Sequence, residues 1–390
     1  AAHPLPPMTE FLFWASAAVL FYTYVGYGLL AALLVQTRGE RAPAAPYAGG
    51  NWPALTVVVA AWNEDAWIGA KVHDTLAQDY PGDLRLLVVA DGSTDATAEI
   101  AREAGAEVLF EPERRGKASA MNRAMAHVTT PLVAFTDANA MLAPGALRAL
   151  VAPFADAEVG AVAGEKRVDT AANGTAGEGL YWRYESTLKR LDSRLHSVVG
   201  AAGELFALRS DLYQPLEADT LLDDFVLSLR IAQSGYRVAY APEAAALEGP
   251  SASLEDEWTR KVRICAGGWQ SMVRLGGLLK PFRHGLLTLQ YVSHRVLRWT
   301  LAPVLLPLAL GLNAVLAPGS ALYTALLAMQ VAFYAVAALG WIWRDREVPV
   351  RGFRLPLYVV FMHAAVAPGV VRFLRGSQSV NWVRARRAAR

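Results

Sequence analysis

Short apolar runs that end in a polar turn recur through the middle of the chain. LTVVVAAW leads into Asn63-Glu64-Asp65, LRLLVVA into Asp91, and LVAFT into Asp137-Ala138-Asn139. Continuous apolar runs of this length are the pattern of strands buried on both faces of a parallel sheet. Between them the period changes to that of helices. Ile68, Val72 and Leu76 make one stripe, and Thr94 to Glu103 predicts a second helix that Gly105 stops. Residues 107–110 and 132–136 predict further strands. This alternation over residues 54–250 predicts an α/β domain with a mainly parallel sheet. The polar turns then share the carboxyl edge of that sheet, where open α/β folds bind ligands.

The flanks have a different pattern. Phe11 to Val35 carries no charge and is long enough for a bilayer core of about 30 Å, so residues 1–37 predict a transmembrane anchor. That stretch is too long, and lacks the basic leader, for a cleavable signal peptide. A Pro/Gly/Ala-rich linker, 38–53, follows. In 251–298, Trp258, Val262 and Trp269 interleave with Arg260, Lys261, Arg263 and Arg274, a pattern of helices lying at a membrane surface. Residues 299–343 are again uncharged and about twice one span. Ala317-Pro318-Gly319-Ser320 breaks them, predicting a tight helical hairpin. Residues 344–375 hold a third segment, Leu355 to Val371, interrupted by Pro356, His363 and Pro368-Gly369. A basic tail, 376–390, closes the chain.

Composition agrees: 54% hydrophobic, 18% charged and mean hydropathy +0.24 are more apolar than an ordinary soluble enzyme. The net charge of +2 says little, but its distribution orients the chain. Arg38 and Arg41 follow the first span, Lys280, Arg283, Arg295 and Arg298 precede the hairpin, and Arg344, Arg346, Arg351 and Arg354 follow it. With Arg384, Arg386, Arg387 and Arg390 in the tail, the positive-inside rule puts the middle domain in the cytoplasm, at an inner membrane of bacterial type. Leu355–Val371 would then be interfacial or re-entrant. The lone Cys265 rules out an internal disulfide and fits a reducing compartment.

Several residues at the predicted edge can carry chemistry. Asp91-Gly92-Ser93-Thr94-Asp95 gives a tight turn and a carboxylate that can bond a base or ribose; it equally suits a capped strand-to-helix turn. Asp137 and Asn139 offer two oxygens at i and i+2, enough for Mg2+ or Mn2+ once substrate phosphates complete the shell; a polar loop gives the same pattern. Asp223-Asp224 opens a helix with Phe225, Leu229 and Ala232 on its apolar face. One of the pair could cap it, but two adjacent carboxylates exceed what a cap requires, and Asp224 could act as a general base. Arg114-Arg115-Gly116-Lys117, with Asn122, could neutralise a diphosphate, yet it is not a P-loop. Arg260 to Gln270 adds arginines for a departing diphosphate and a tryptophan, Trp269, for a sugar face. No G-x-G-x-x-G, histidine metal spacing or Ser-His-Asp set occurs, which argues against dinucleotide chemistry and nucleophilic hydrolysis. Nothing calls for a nucleic-acid partner, and the oligomeric state is open.

The ordered set VVVAAWNE, VVADGSTD, RGKASAMN, FTDANA, LLDDF and RKVRICAGGWQ, between an anchor and C-terminal membrane helices, resembles the family 2 inverting glycosyltransferases. It is most similar to the membrane-integrated group with cellulose, hyaluronan, chitin-oligosaccharide and poly-N-acetylglucosamine synthases. The resemblance implies a GT-A fold with α-helical transmembrane and interfacial helices, a UDP-sugar donor and a divalent cation, Mg2+ or Mn2+. It implies that Asn63, Glu64, Asp91, Lys117, Asp137 and Arg263 serve the donor. Asp137 would bind metal together with Asn139. Asp224 would be the catalytic base, with Trp269 and Asp223 at the acceptor. Three departures stand out: D-x-D ends in Asn139, T-E-D reads Leu222-Asp223-Asp224, and Q-x-x-R-W is absent as such, Arg260 and Arg263 preceding Trp269 with a Gly-Gly insertion. That last motif accompanies processive synthesis in the family. The implied reaction forms a β-glycosidic bond on a saccharide or lipid-linked hydroxyl beside the bilayer, as a single transfer or as polysaccharide synthesis. A polyprenyl-phosphate glycosyltransferase and a non-catalytic scaffold that binds nucleotide sugar are the alternatives.

Overall fold

The computed structural model describes residues 7–38, 47, 50–168, 176–249, 254–343 and 351–381. Most of the expected linker, including Arg41, lies outside them, as do Arg344, Arg346 and the tail arginines Arg384, Arg386, Arg387 and Arg390. A continuous helix, Pro7–Arg38, opens the described chain as α1 (Pro7–Phe21), a π-helical turn Tyr22–Gly26, and α2 (Tyr27–Arg38).

The α/β region follows as β1 (Leu55–Ala61), α3 (Asp65–Leu76), β2 (Leu84–Asp91), α4 (Thr97–Glu103), β3 (Glu107–Glu111), α5 (Lys117–Met125), β4 (Leu132–Asp137), β5 (Met141–Leu142) and α6 (Ala146–Val151). It continues with β6 (Val159–Val168), α7 (Ala176–Leu195), β7 (Leu205–Arg209), α8 (Asp223–Gln233) and β8 (Arg237–Glu248). The sheet order is β3-β2-β1-β4-β7-β6-β8-β5. β3, β2, β1 and β4 are mutually parallel, and β7 is inserted antiparallel between β4 and β6. Because β7 runs downward, its start and the ends of β1, β2, β4 and β8 meet at one edge. Strand alternation splits the core into two layers. Leu55, Val57 and Val59 pack with Ile68, Val72 and Leu147, while Val58 packs with Met121, Phe206 and Val226 on the other face.

Two helical details differ from the sequence expectation. Leu76 is exposed, because two turns are 7.2 residues and the buried Thr75, not Leu76, continues the Ile68–Val72 stripe. α4 begins at Thr97 rather than Thr94, because the Asp95 carboxylate accepts the Thr97 N–H at 3.0 Å and holds 92–95 as a turn.

Beyond the sheet, α9 (Leu254–Arg274) lies beside short helices α10 (Pro281–His284), α11 (Leu286–Tyr291) and α12 (Leu297–Trp299). The expected hairpin is α13 (Leu301–Leu316) and α14 (Ala321–Ile342), turning at Ala317–Gly319. α15 (Arg351–Ala364) and α16 (Val366–Leu374) end the described helices. Among the described residues, four helices are long and apolar enough to cross a membrane: Pro7–Arg38, Leu301–Gly319, Ala321–Ile342 and Leu355–Leu374. The last bends at Ala365, and α16 lies on α9. A Cβ on Gly369 would come within 2.5 Å of Cys265 Cβ.

A buried polar network joins α2 and the turn before it to the α/β domain. Asp192 accepts from Tyr27, bonds His294 Nδ1 at 2.5 Å, and offers its backbone carbonyl to Gln290 at 2.8 Å. Glu185 pairs with Arg298 and, at 3.2 Å, with Arg295; against the desolvation of burial these arginines hold its carboxyl well below the usual range. Tyr22, in the first π-helical turn, and Ser293, in a second one at Val292–Val296, meet at 2.8 Å.

Candidate active site

Each polar residue that ends a strand is held by a specific local device. Asn63 has φ +52, a left-handed backbone that asparagine tolerates better than most residues. Its side-chain oxygen accepts the Thr94 N–H at 2.8 Å, tying the turn after β1 to the turn after β2. Glu64 is buried, and its backbone N–H goes to Thr97 Oγ1 at 2.8 Å. Asp91 has no exposed surface. Its carboxylate accepts N–H groups from Arg115 at 3.1 Å and Gly116 at 2.7 Å and pairs with Arg123 at 2.7 Å. These bonds fix the 114–116 loop, so Asp91 as found holds protein groups rather than facing open space. Gly92 permits this closeness: φ is +69, and a Cβ there would sit 2.6 Å from the Arg114 backbone nitrogen. Arg114 lies over the Trp62 ring, 3.3 Å from its centroid.

The charged centre forms where α5, β4, α8 and α9 converge. Lys117 Nζ lies 2.7 Å from Asp137 Oδ1 and 3.5 Å from Asp223 Oδ2. Burial works against its charge, but Asp137, Asp223 and Asp224 outweigh that and raise its pKa. Neither aspartate of α8 caps the helix. Leu222 holds the cap position, and both acids stand in the first turn, where the helix dipole favours negative charge. Gly203 adjoins Asp224, a methyl there being 3.6 Å from its carboxylate. Burial first, then the neighbouring Asp223 and Glu204, push the Asp224 carboxyl up to about 7, while Lys117 pulls the other way. Desolvation also raises Asp137, with Lys117 opposing.

Arg263 reaches this centre from α9, its guanidinium 3.5 Å from the Leu221 carbonyl. Burial lowers its pKa and Asp223, Asp137 and Asp224 oppose, in that order. Arg263 Nε is buried without a hydrogen-bond partner among the described residues, and Asp223 Oδ2 has no hydrogen bond beyond the 3.5 Å ion pair with Lys117. Leaving such atoms unsatisfied costs about 1–3 kcal/mol each or more for charged groups, a cost expected where a ligand completes the bonding.

The structure therefore gathers Lys117, Asp137, Asp223, Asp224 and Arg263, with Asn63, Glu64 and Asp91 along the same edge. Asn139 turns aside, its Nδ2 donating to Glu248 Oε1 at 3.2 Å. Trp269 does not join the centre. Its indole donates to the Trp299 carbonyl at 3.1 Å, and its ring lines an apolar cavity among the C-terminal helices. The Gly267-Gly268 pair seats α9 against Leu222 and Trp299. Asn122 is also structural, accepting from Tyr213 at 2.7 Å and Leu216 N–H at 2.9 Å. Sequence reasoning missed Lys166, Glu204 and Glu248, an ion-paired trio beside the centre in which Lys166 and Glu248 are buried and Glu204 is partly so, with Lys166 bonded to both glutamates. Glu248 ends an apolar run just as Asp91 does, so the same signal was present.

Residues 53–267 match the family described as Glycosyltransferase like family 2, and the chain belongs to it. Among curated proteins it is 28% identical over 281 residues to Beta-monoglucosyldiacylglycerol synthase of Synechocystis sp., covering 66% of this chain and 57% of that protein. It is 27% identical over 227 residues to an N-acetylglucosaminyltransferase of Rhizobium meliloti, covering 53% of each. It is 24% identical over 230 residues to Poly-beta-1,6-N-acetyl-D-glucosamine synthase of Staphylococcus aureus, covering 56% of each. The chain thus spans little more than half the length of these relatives. Among solved structures, a mannosyltransferase from Pyrobaculum calidifontis in complex with GDP-Man and Mn2+ superposes with TM-score 0.73 at 26% identity, covering 95% of this chain and all of that one. The fold is GT-A.

Proposed function

We propose that this chain is a membrane-integrated, inverting glycosyltransferase. It moves a sugar from a UDP-sugar to a hydroxyl of a saccharide or lipid-linked acceptor, with the α/β domain at the cytoplasmic face. The observation that carries this reading is the cluster at the sheet's carboxyl edge, where Lys117 lies 2.7 Å from Asp137 and 3.5 Å from Asp223 with Arg263 and Asp224 beside them, a setting that pushes the Asp224 carboxyl up. A general base works best when its pKa lies close to the operating pH. Asp224 takes the acceptor proton as the acceptor oxygen bonds the anomeric carbon. The bond from that carbon to the diphosphate breaks, and its electron pair leaves with UDP. Lys117 and Arg263 face the oxygens that gain this charge, an electrostatic contribution of about 3–4 kcal/mol for one well-placed donor.

The donor set suits a divalent cation. Mg2+ and Mn2+ need only one or two carboxylates when phosphates fill the shell, and no cluster of three or more ligating side chains exists among the described residues. Asp137 would hold the ion, Asn139 being turned to Glu248, and the ion would neutralise the departing diphosphate. Asp91 acts as a positioning residue for the 114–116 loop. A phosphate acceptor would need no base, so the placement of Asp224 favours a hydroxyl.

The test is to incubate purified full-length protein with a panel of UDP-sugars and Mn2+, measuring UDP release and sizing the products. Metal-dependent release with one donor supports the reading. Absence of release with every donor, GDP-sugars included, refutes it.

A further inference from the structure

A cavity of about 710 Å³ opens among α9, α13, α14, α15 and α16. This lies within the roughly 300–1,000 Å³ range of ligand sites. Trp269, Trp299, Leu301, Pro307, Phe333 and Val370 are among its walls. Of its few polar residues, Thr300 and His363 are already bonded to the carbonyls of Val296 and Val359. Water needs two to four polar partners to occupy such a space, and an apolar cavity stays dry. Four of the five surrounding helices, α13 to α16, belong to three apolar segments long enough to cross a membrane, so on the membrane-integrated reading its mouth opens to hydrocarbon.

Two contacts tie this cavity to the charged centre. The Trp299 ring lies 5.3 Å from Phe225, the residue immediately after Asp224. α9 presents Arg263 to the carboxylates and, six residues on, Trp269 to the cavity, while Gly369 locks α16 onto the same helix. One short span of structure therefore joins a proton acceptor to a hydrocarbon slot.

We propose that this cavity receives the hydrocarbon chain of the acceptor, which is a membrane lipid with a hydroxyl headgroup. The inference rests on the transferase reading above and narrows its acceptor to a lipid. The chain lodges between α13 and α16, and Trp269 and Trp299 form the collar where it meets the headgroup. The transfer step is the one already given, with the lipid hydroxyl as the attacking oxygen.

The test uses full-length protein in nanodiscs containing a diacylglycerol with a diazirine on one acyl chain. Photolysis should label peptides within 299–310 and 359–370. The double variant Ala364→Trp, Ala367→Trp fills the slot from two exposed cavity-lining positions. It should reduce that labelling at least fivefold and glycosylation of diacylglycerol at least tenfold. UDP affinity and hydrolysis of the donor by water should stay unchanged, which also reports an intact fold. Labelling insensitive to the filled slot would overturn the proposal. So would a water-soluble oligosaccharide serving as acceptor as well as the lipid does. If the unaltered protein cleaves no donor, the transferase reading fails, and the cavity assignment is judged by the labelling alone.

Discussion

Replacing Asp224 with asparagine keeps the side chain's shape and removes its basicity. The carboxyl rises from 3.8 to about 7 in the folded chain. About three pKa units correspond to about 4 kcal/mol between the two protonation states, and partial exposure of the side chain brings this to about 2–3 kcal/mol. Two consequences follow with opposite signs. Loss of the base should lower kcat by about 10²–10⁴-fold with little change in donor KM. Stability should move the other way. A carboxyl whose folded pKa is raised stays neutral in the native state while its unfolded counterpart ionises, so wild-type stability falls as pH climbs from about 4 to about 7. The asparagine variant escapes that loss and should unfold at a higher temperature than wild type at pH 8, with the gap closing towards pH 4. Wild-type kcat should rise through pH 7 and level off above it. UDP release with acceptor present, measured from pH 5 to 9, and tryptophan-fluorescence melting in detergent read these out. An Asp224→Asn protein that retains a tenth or more of wild-type turnover, or a wild-type rate flat between pH 6 and 8, would refute the assignment.

Chelation with EDTA should stop UDP release and added Mn2+ should restore it, while Asp137→Ala should abolish Mn2+ binding in an EPR titration. Arg263→Gln removes a buried guanidinium aimed at the carboxylates and should lower kcat by about 10²-fold, with weaker UDP binding by calorimetry. Gly92→Ala meets both a φ of +69 and the Arg114 backbone, so it should cost about 1–3 kcal/mol in melting and disturb donor binding through the 114–116 loop.

Much of the polar edge of the sheet was legible because it follows from local rules. An apolar run must end, and the polar residue that ends it in a parallel strand lands on a shared rim. Asn63, Asp91 and Asp137 were found that way, and Ala317-Pro318-Gly319-Ser320 marked the hairpin because proline and glycine cannot extend a helix there. What escaped were facts set by distant partners. Nothing near Asp91 in sequence says that its carboxylate will be filled by Arg115, Gly116 and Arg123. The reversal of β7 between β4 and β6 was invisible for the same reason, and it is that reversal that brings Glu204 to the rim. That Trp269 lines an apolar cavity was not legible either, because helical spacing gives the side of a helix only after its packing is known. Glu185 and Asp192 share α7, but His294 lies about a hundred residues further on, and no short window of sequence contains all three.

The link from Tyr27 to Asp192 and His294 bears on how this molecule can be taken apart. A fragment starting after the first helix would strip a phenol from a carboxylate that has no route to solvent, and would uncover Leu188, which packs against Tyr27 and Ala31. Such a truncated polypeptide should aggregate rather than yield a soluble transferase, because the amino-terminal rod is an internal strut of the enzyme and not a detachable tether.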